Sequence, residues 1–334
     1  MSRKIVILDT ETTGTTEKVK NGSYLTVADP EFVVLEKEVE HRITQLAYVV
    51  VEEKRGLSIL SVEDEMCKPP VESSIGAIAT TGITPEMLED KPSYSELRAT
   101  HALNELNNEE NIMIAHNLPF DNEMLRREGF ENKMKLIDTL RVIRHVYPDI
   151  ERHQMQWFRY GFKLYLKEAE EVRKIGKEVS AHDALGDVIV LKLLVEKLIE
   201  DGISIEKQIE LTNMPILMTK MRFGKYSGIN FDEICKEDPG YILYMFAMEK
   251  AKSIDKQDSD FIYTIEHLIS KHNLFMQVRF KFGKYKGMYV HEVKNNDIGY
   301  LEWLSESITK SIDKGEEVKI PGDIVLAVDF YLDN

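Results

Sequence analysis

The chain has 334 residues, 43% of them hydrophobic and 30% charged, which suits one large or two ordinary domains and excludes the disordered and membrane-spanning classes. Its net charge of −15 argues against a broad electrostatic footprint for nucleic acid, although bound metal would reverse the field locally. Cys67 and Cys235 form no CxxC pair, and the N-terminal apolar run from Ile5 to Leu8 is too short for a signal peptide or a spanning helix, so a reducing, cytoplasmic compartment is expected.

Ile5-Val6-Ile7-Leu8 predicts a strand buried on both faces. Asp9 and Glu11 stand two residues apart at its end, so an extended backbone points both to one side. Thr12-Thr13-Gly14 makes a turn-forming exit. Two acids beside a buried strand repel each other and lose hydration. A hard divalent cation held by oxygen ligands answers both problems; an exposed strand end with solvated acids is the plainer alternative. Residues 15–40 show no clear period and read as a loop or insertion over one sheet edge. Residues 42–51 and 57–66 are strand-like and joined by a turn, which completes an antiparallel meander of three strands. Residues 74–80 and 84–86 predict short helices, and residues 93–108 an amphipathic one.

Residues 112–115 form another short apolar strand that runs into His116-Asn117-Leu118-Pro119-Phe120-Asp121. Pro119 suits a helix start and Gly129 its stop, which places Asp121 in the first turn. The helix dipole favours a carboxylate there whatever its function. A fifth strand is expected near Leu136, then helical segments to Tyr147 and over 154–163, then a charged stretch that reads as a solvated helix face. Ser180-Ala181-His182-Asp183-Ala184-Leu185-Gly186-Asp187 opens a helix that continues over 188–200 and ends at Gly202. Ser180 and Asp183 each suit its N-cap. Positions five apart lie about 140° apart around a helix, so a site shared by His182 and Asp187 favours Asp183 as the cap. Taken singly, Asp121 fits a structural first-turn acid and His182 an ordinary loop histidine.

Taken together and in order, three stretches resemble the exonuclease motifs of the DEDDh superfamily: Leu8-Asp9-Thr10-Glu11-Thr12-Thr13-Gly14, His116-Asn117-x-x-Phe120-Asp121 and His182-x-Ala184-x-x-Asp187. The tyrosine subclass would carry Tyr where this chain has Asp183, so the histidine subclass matches better. The resemblance covers about residues 1–200 and implies an α/β, ribonuclease H-like fold with a mixed five-stranded sheet and flanking helices. It also implies two divalent cations, magnesium with manganese as a substitute. Asp9 would bridge them, Glu11 and Asp187 would hold the first, and Asp121 would serve the second, often through water. Such a pair clamps the attacking and leaving oxygens of a phosphodiester. His182 would take the proton from the attacking water, as an imidazole can near neutral pH. Thr12, Thr13 and Asn117 would hold the terminal nucleotide. Gln45 and Thr81 depart from the family pattern, where Glu and His are common, and bear only on the fine geometry of substrate contacts.

Beyond residue 202 the chain repeats itself. Arg222-Phe223-Gly224-Lys225-Tyr226-Ser227-Gly228 is echoed by Lys281-Phe282-Gly283-Lys284-Tyr285-Lys286-Gly287, and Asp238-Pro239-Gly240-Tyr241 by Asp297-Ile298-Gly299-Tyr300, both at an offset of 59 residues. Each copy reads as strand, glycine-bounded turn, strand, then a helix opened by Asp-x-Gly-Tyr. An exonuclease domain followed by a Phe-Gly-Lys-Tyr-x-Gly module resembles the exodeoxyribonuclease X family, here with two copies of the module. The expected domains are therefore 1–202 for the exonuclease, 203–265 for the first module and 266–334 for the second. Lys225, Tyr226, Lys284, Tyr285 and Lys286 offer charge and stacking faces for a nucleic-acid strand; in the alternative, the aromatics form small cores and the lysines are merely exposed. The implied activity is a metal-dependent 3′–5′ exonuclease that releases nucleoside 5′-monophosphates from DNA, with single strands or 3′ ends as partner and no membrane. An RNA exonuclease is the nearest alternative. A proofreading or tethering subunit of a polymerase or repair complex is another, weakened by the complete set of four carboxylates and a histidine.

Overall fold

The apolar run Ile5 to Leu8 lies at the centre of a sheet. A computed structural model describes residues 3–14, 40–53, 56–148, 150, 152–176 and 184–333. All but Glu40 of the expected insertion over residues 15–40, the candidate caps Ser180 and Asp183, and His182 lie outside the described residues. Strand β1 (Lys4–Thr12) pairs antiparallel with β2 (Ile43–Glu52), which pairs antiparallel with β3 (Ser58–Met66). On its other side β1 runs parallel to β4 (Ile112–Ala115), and β4 parallel to β5 (Lys135–Asp138), giving the order β3-β2-β1-β4-β5. This is the mixed five-stranded α/β sheet with the expected meander.

Strand alternation divides the apolar run between two cores. Ile5 and Ile7 join Val49, Ile114 and one set of helices, while Val6 and Leu8 join Tyr48, Met113 and another. Neither face meets water, which is why β1 is apolar without a break. The helices of this unit are α1 (Ile75–Thr81), α2 (Pro85–Leu88), α3 (Arg98–Leu106), α4 (Leu118–Arg127), α5 (Thr139–Val146), α6 (Met155–Gly161), α7 (Tyr165–Ile175), α8 (Ala184–Glu200) and α9 (Ile205–Asn213). Helices α3 and α4 cover the Val6 face, and α5, α6, α8 and α9 the Ile7 face. Ile7→Ala should cost about 2–5 kcal/mol, because the filled sandwich cannot collapse onto the lost volume; urea unfolding with an unchanged slope is the measurement.

Helix α8 is apolar nearly all round and packs on β1 and β2. Lys192 within it is buried, and Glu171 and Glu196 meet its ammonium at 2.7 Å. The charged helix α7 is therefore more than a solvated face: Glu171 neutralises Lys192, and Glu168 makes two 2.8 Å bonds with Arg159. The single amphipathic helix expected over 93–108 is broken. A 3-10 turn at Tyr94–Glu96 precedes α3, because Leu97 turns extended (ψ 138°) and buries its side chain.

The chain divides into units 1–214 and 215–334, so the first boundary falls after Met214 and not after Gly202. Helix α9 belongs to the sheet unit: Ile205 and Leu211 join the core of Ile7, and the Thr212 hydroxyl accepts from the Asp138 amide at 3.0 Å. The second unit comprises α10 (Phe231–Glu237), α11 (Pro239–Lys250), α12 (Ser259–His272), α13 (Val290–Asn296), α14 (Ile298–Asp313) and α15 (Gly322–Asp333). Both repeat copies feed one core, with Phe231, Ile242 and Phe261 of the first beside Phe280, Leu301 and Ile324 of the second. The two modules expected over 203–265 and 266–334 thus share a single hydrophobic interior. Their expected strands are reduced to single antiparallel bridges, Lys220 to Asn230 and Arg279 to Tyr289.

The glycines of the repeat have a common reason. Gly224 and Gly283 take positive φ (73° and 71°), and a Cβ on either would strike the hydroxyl of Tyr241 or Tyr300. The Phe-Gly-Lys-Tyr turn and the Asp-x-Gly-Tyr helix start are therefore two halves of one packed corner. Among the described residues, no helix is long and apolar enough to cross a membrane.

Candidate active site

Asp9 and Glu11 continue the face of β1 that carries Ile5 and Ile7, and α8 packs on that face. Asp187 stands in the first turn of α8. The three meet at the strand end, where one carboxylate oxygen from each lies within 4.8 Å of the other two. The Gln156 amide on α6 donates to Asp187 Oδ1 at 3.1 Å, and Arg159 Nη1 donates to Gln156 Oε1 at 3.3 Å while holding Glu168. Gln156 carries no sequence signal, since nothing in its stretch marks it out from Gln154.

Thr10 points to the opposite face, where α4 lies. Its amide and hydroxyl both donate to Asp121 Oδ1, at 3.1 and 2.7 Å. Asp121 sits in the first turn of α4, only 2% exposed, and stands apart from the group of three. Burial pushes its carboxyl up to about 7, against the two bonds from Thr10. The three carboxylates brought together, Asp9, Glu11 and Asp187, form an all-oxygen donor set. It suits hard divalent cations such as magnesium or manganese, and offers no thiolate for a soft metal.

The neighbouring polar residues have distinct duties. Thr12 spends its hydroxyl on the Gly14 carbonyl at 2.7 Å. Thr13 is fully buried; its hydroxyl accepts from the Arg42 amide at 3.0 Å and lies 3.2 Å from His41 Nδ1. Both hydroxyls thus serve the turn that leaves β1. Asn117 is exposed in a left-handed conformation (φ 68°), with its amide held by Asp138 Oδ1 at 3.0 Å. It lines a 420 Å³ cleft with Pro119, Phe120, Glu123 and Arg127. Gln45 is paired with Glu11 across the β1–β2 ladder and donates to Asp64 at 2.8 Å. Gln156→Ala should weaken divalent-ion binding about tenfold or more, because outer-shell partners orient the ligands they touch. Ion titration by calorimetry reads this, with the melting temperature as the control for folding.

In the second unit Lys225 and Lys284 lie over the rings of Tyr226 and Tyr285, at 4.6 and 4.7 Å, and donate to Asp238 and Asp297 at 3.2 and 3.1 Å. The tyrosine hydroxyls donate to the same aspartates, and their rings meet Tyr241 and Tyr300 edge-on at 5.0 Å. Tyr226 and Tyr285 are thus half-buried parts of the packed corner, not the open stacking faces expected of them. Lys286 is exposed on the same turn.

A ribonuclease H-like sheet with carboxylates gathered from its central strand and its principal helix defines an enzyme that hydrolyses phosphodiesters, here a 3′–5′ exonuclease of the DEDDh type. The chain belongs to the exonuclease family, whose model matches residues 6–194. A second model, described as exodeoxyribonuclease X-like C-terminal, matches residues 280–308 within the second repeat copy. Exodeoxyribonuclease 10 of Escherichia coli (strain K12) is 25% identical over 216 residues, which cover 63% of this chain and 86% of the relative. A DNA polymerase III of PolC type from Halalkalibacterium halodurans is 28% identical over 194 residues, 54% of this chain but 12% of that protein. Among solved structures, exonuclease X in complex with 5′-overhanging duplex DNA matches 63% of this chain and 99% of its own, at 20% identity and a TM-score of 0.42.

Proposed function

We propose that this exonuclease acts on DNA, removing nucleoside 5′-monophosphates one at a time from 3′ ends. The observation that carries the reading is the convergence of Asp9, Glu11 and Asp187 at the end of β1. The relative named exodeoxyribonuclease 10 supports DNA as the substrate. Asp9, Glu11, Asp187 and Asp121 would hold two divalent cations, magnesium or manganese, which when bound supply positive charge to the phosphate and lower the pKa of water. The chain's own residues do the rest. Thr10 fixes the buried Asp121, and Gln156 orients Asp187. Asn117, exposed at its cleft, would hold the terminal nucleotide. With their hydroxyls committed to the turn, Thr12 and Thr13 would contribute through backbone and shape. His182 would accept the proton of the attacking water as its oxygen bonds to phosphorus; the P–O3′ bond breaks, and the departing O3′ takes a proton from solvent.

Release of terminal nucleotides from matched single-stranded DNA, duplex DNA and RNA, with and without magnesium, tests this reading. DNA should be degraded from its 3′ end, and a chelator should stop it. Faster release from RNA would transfer the proposal to an exoribonuclease, and release undiminished by a chelator would remove the metal from it.

A further inference from the structure

The two repeat copies allow a comparison within one chain. Helices α11 and α14 begin alike, at Asp-x-Gly-Tyr, and then diverge where their surroundings differ. Leu243 and Phe246 of α11 are buried, and α11 packs against α15. The matching residues of α14 are polar and less covered: Glu302 is exposed and Ser305 half-buried, though α14 too packs against α15. One pair breaks this rule. Tyr244 and Trp303 occupy the same place in both copies and are 52% and 59% exposed, yet both are large aromatics. Folding does not bury them, so folding does not account for them. An aromatic kept at the surface of two otherwise diverged copies points to a binding role.

Their surroundings indicate what is bound. Trp303 lies 5.7 Å from Tyr300, which meets Tyr285 at 5.0 Å, over whose ring Lys284 sits at 4.7 Å. In the first copy Tyr244 follows Tyr241 by one turn on the same helix face, and Tyr241 leads to Tyr226 and Lys225 in the same way, at 5.0 and 4.6 Å. Each copy thus offers an outward aromatic with a lysine beyond it. Side chains of Lys225 and Lys284 are 64% and 66% exposed, and their aspartate partners 37% and 34%. Ion pairs so exposed are weak in water, so either ammonium can turn from its aspartate to a phosphate. Lys220, Arg222 and Lys286 add positive charge on the same turns. Of the acids beside Trp303, Glu302 is exposed and Glu306 accepts from Lys310 at 3.3 Å.

We propose that Tyr244 and Trp303 are stacking platforms for unpaired bases of a nucleic-acid strand, with Lys225 and Lys284 meeting its phosphates. The proposal rests on the exonuclease reading above and adds a second contact region for the same substrate, with the packed Tyr226 and Tyr285 as its scaffold. Aromatic faces accept any base, so the shared chemistry is an unpaired base on a phosphodiester chain.

The test uses the full chain with a chelator present, so that binding is read without hydrolysis. Long oligothymidylate and oligouridylate are titrated separately, with anisotropy and intrinsic tryptophan fluorescence followed together. Stacking should quench the Trp303 share of the native emission, the rest coming from Trp157, and that share of the quench should vanish in Trp303→Phe while binding is largely kept. Tyr244→Ala and Trp303→Ala should each weaken binding about fivefold or more, the lower end expected for one stacked base. The two oligonucleotides distinguish a DNA strand from an RNA strand. Binding that leaves Trp303 emission unchanged and is insensitive to both alanine variants overturns the proposal and assigns this surface to another occupant, such as a protein. Nucleotide release from a trinucleotide in magnesium is the separate check on the exonuclease reading: its absence would sink that reading whatever the fluorescence shows, and its persistence in Tyr244→Ala/Trp303→Ala would keep the two failures apart.

Discussion

Asp9→Asn and Asp187→Asn should each lower nucleotide release by about a hundredfold to a thousandfold or more, the cost of removing one preorganised electrostatic stabiliser from an active site. The geometry explains why so small a change acts so strongly. Asparagine keeps the shape of the side chain but removes one of three negative charges whose oxygens lie within 4.8 Å of one another. Fewer charges hold a divalent cation less firmly, and the phosphate loses the positive charge that would stabilise it during attack. The fold should not suffer. Mutual repulsion within the cluster falls when one charge goes, so the melting temperature without metal should stay level or rise, while ion titration shows the affinity lost. A folded Asp9→Asn/Asp187→Asn chain that still degrades DNA at a substantial rate would remove these residues from the chemistry.

Legibility in the sequence followed the strength of the local physical signal. The apolar run at Ile5 to Leu8 reads as a strand because it is short, rich in β-branched residues and ended at once by Asp9, and alternation then dictated which side Asp9 and Glu11 would take. The apolar spacing of α8 placed Asp187 equally well. The repeat was visible as a repeat because its glycines answer a steric demand, the close approach of Tyr241 and Tyr300. What stayed hidden depends on distant partners. The break at Leu97 exists because the core draws that side chain inward, which no window of residues 93–108 discloses. Helix α9 follows Gly202 as a new domain would, yet Thr212 and Leu211 return it to the sheet. Tyr226 and Tyr285 looked like free aromatics between lysines until Asp238 and Asp297, twelve residues on, were seen to hold their hydroxyls. Gln156 could be recognised only once α6 and α8 stood side by side.

His182→Ala should depress turnover about a hundredfold to ten-thousandfold, the usual contribution of a positioned general base. The expectation rests on sequence, since His182 lies outside the described residues: it stands five positions before Asp187, and Asp187 is in the first turn of α8. As a proton acceptor His182 must be neutral, so activity of the native enzyme should rise with pH as the imidazole loses its proton and then level off. In His182→Ala that levelling-off should disappear, leaving a low rate that rises with hydroxide concentration throughout. The turnover number should carry nearly all of the loss, with KM and divalent-ion affinity close to native. The contrast with Asp187→Asn is what makes the assignment testable: Asp187→Asn should lose ion binding and rate together, whereas His182→Ala should lose rate alone. If calorimetry shows His182→Ala losing ion affinity as severely as Asp187→Asn, the imidazole is a ligand and the attacking water gives its proton elsewhere.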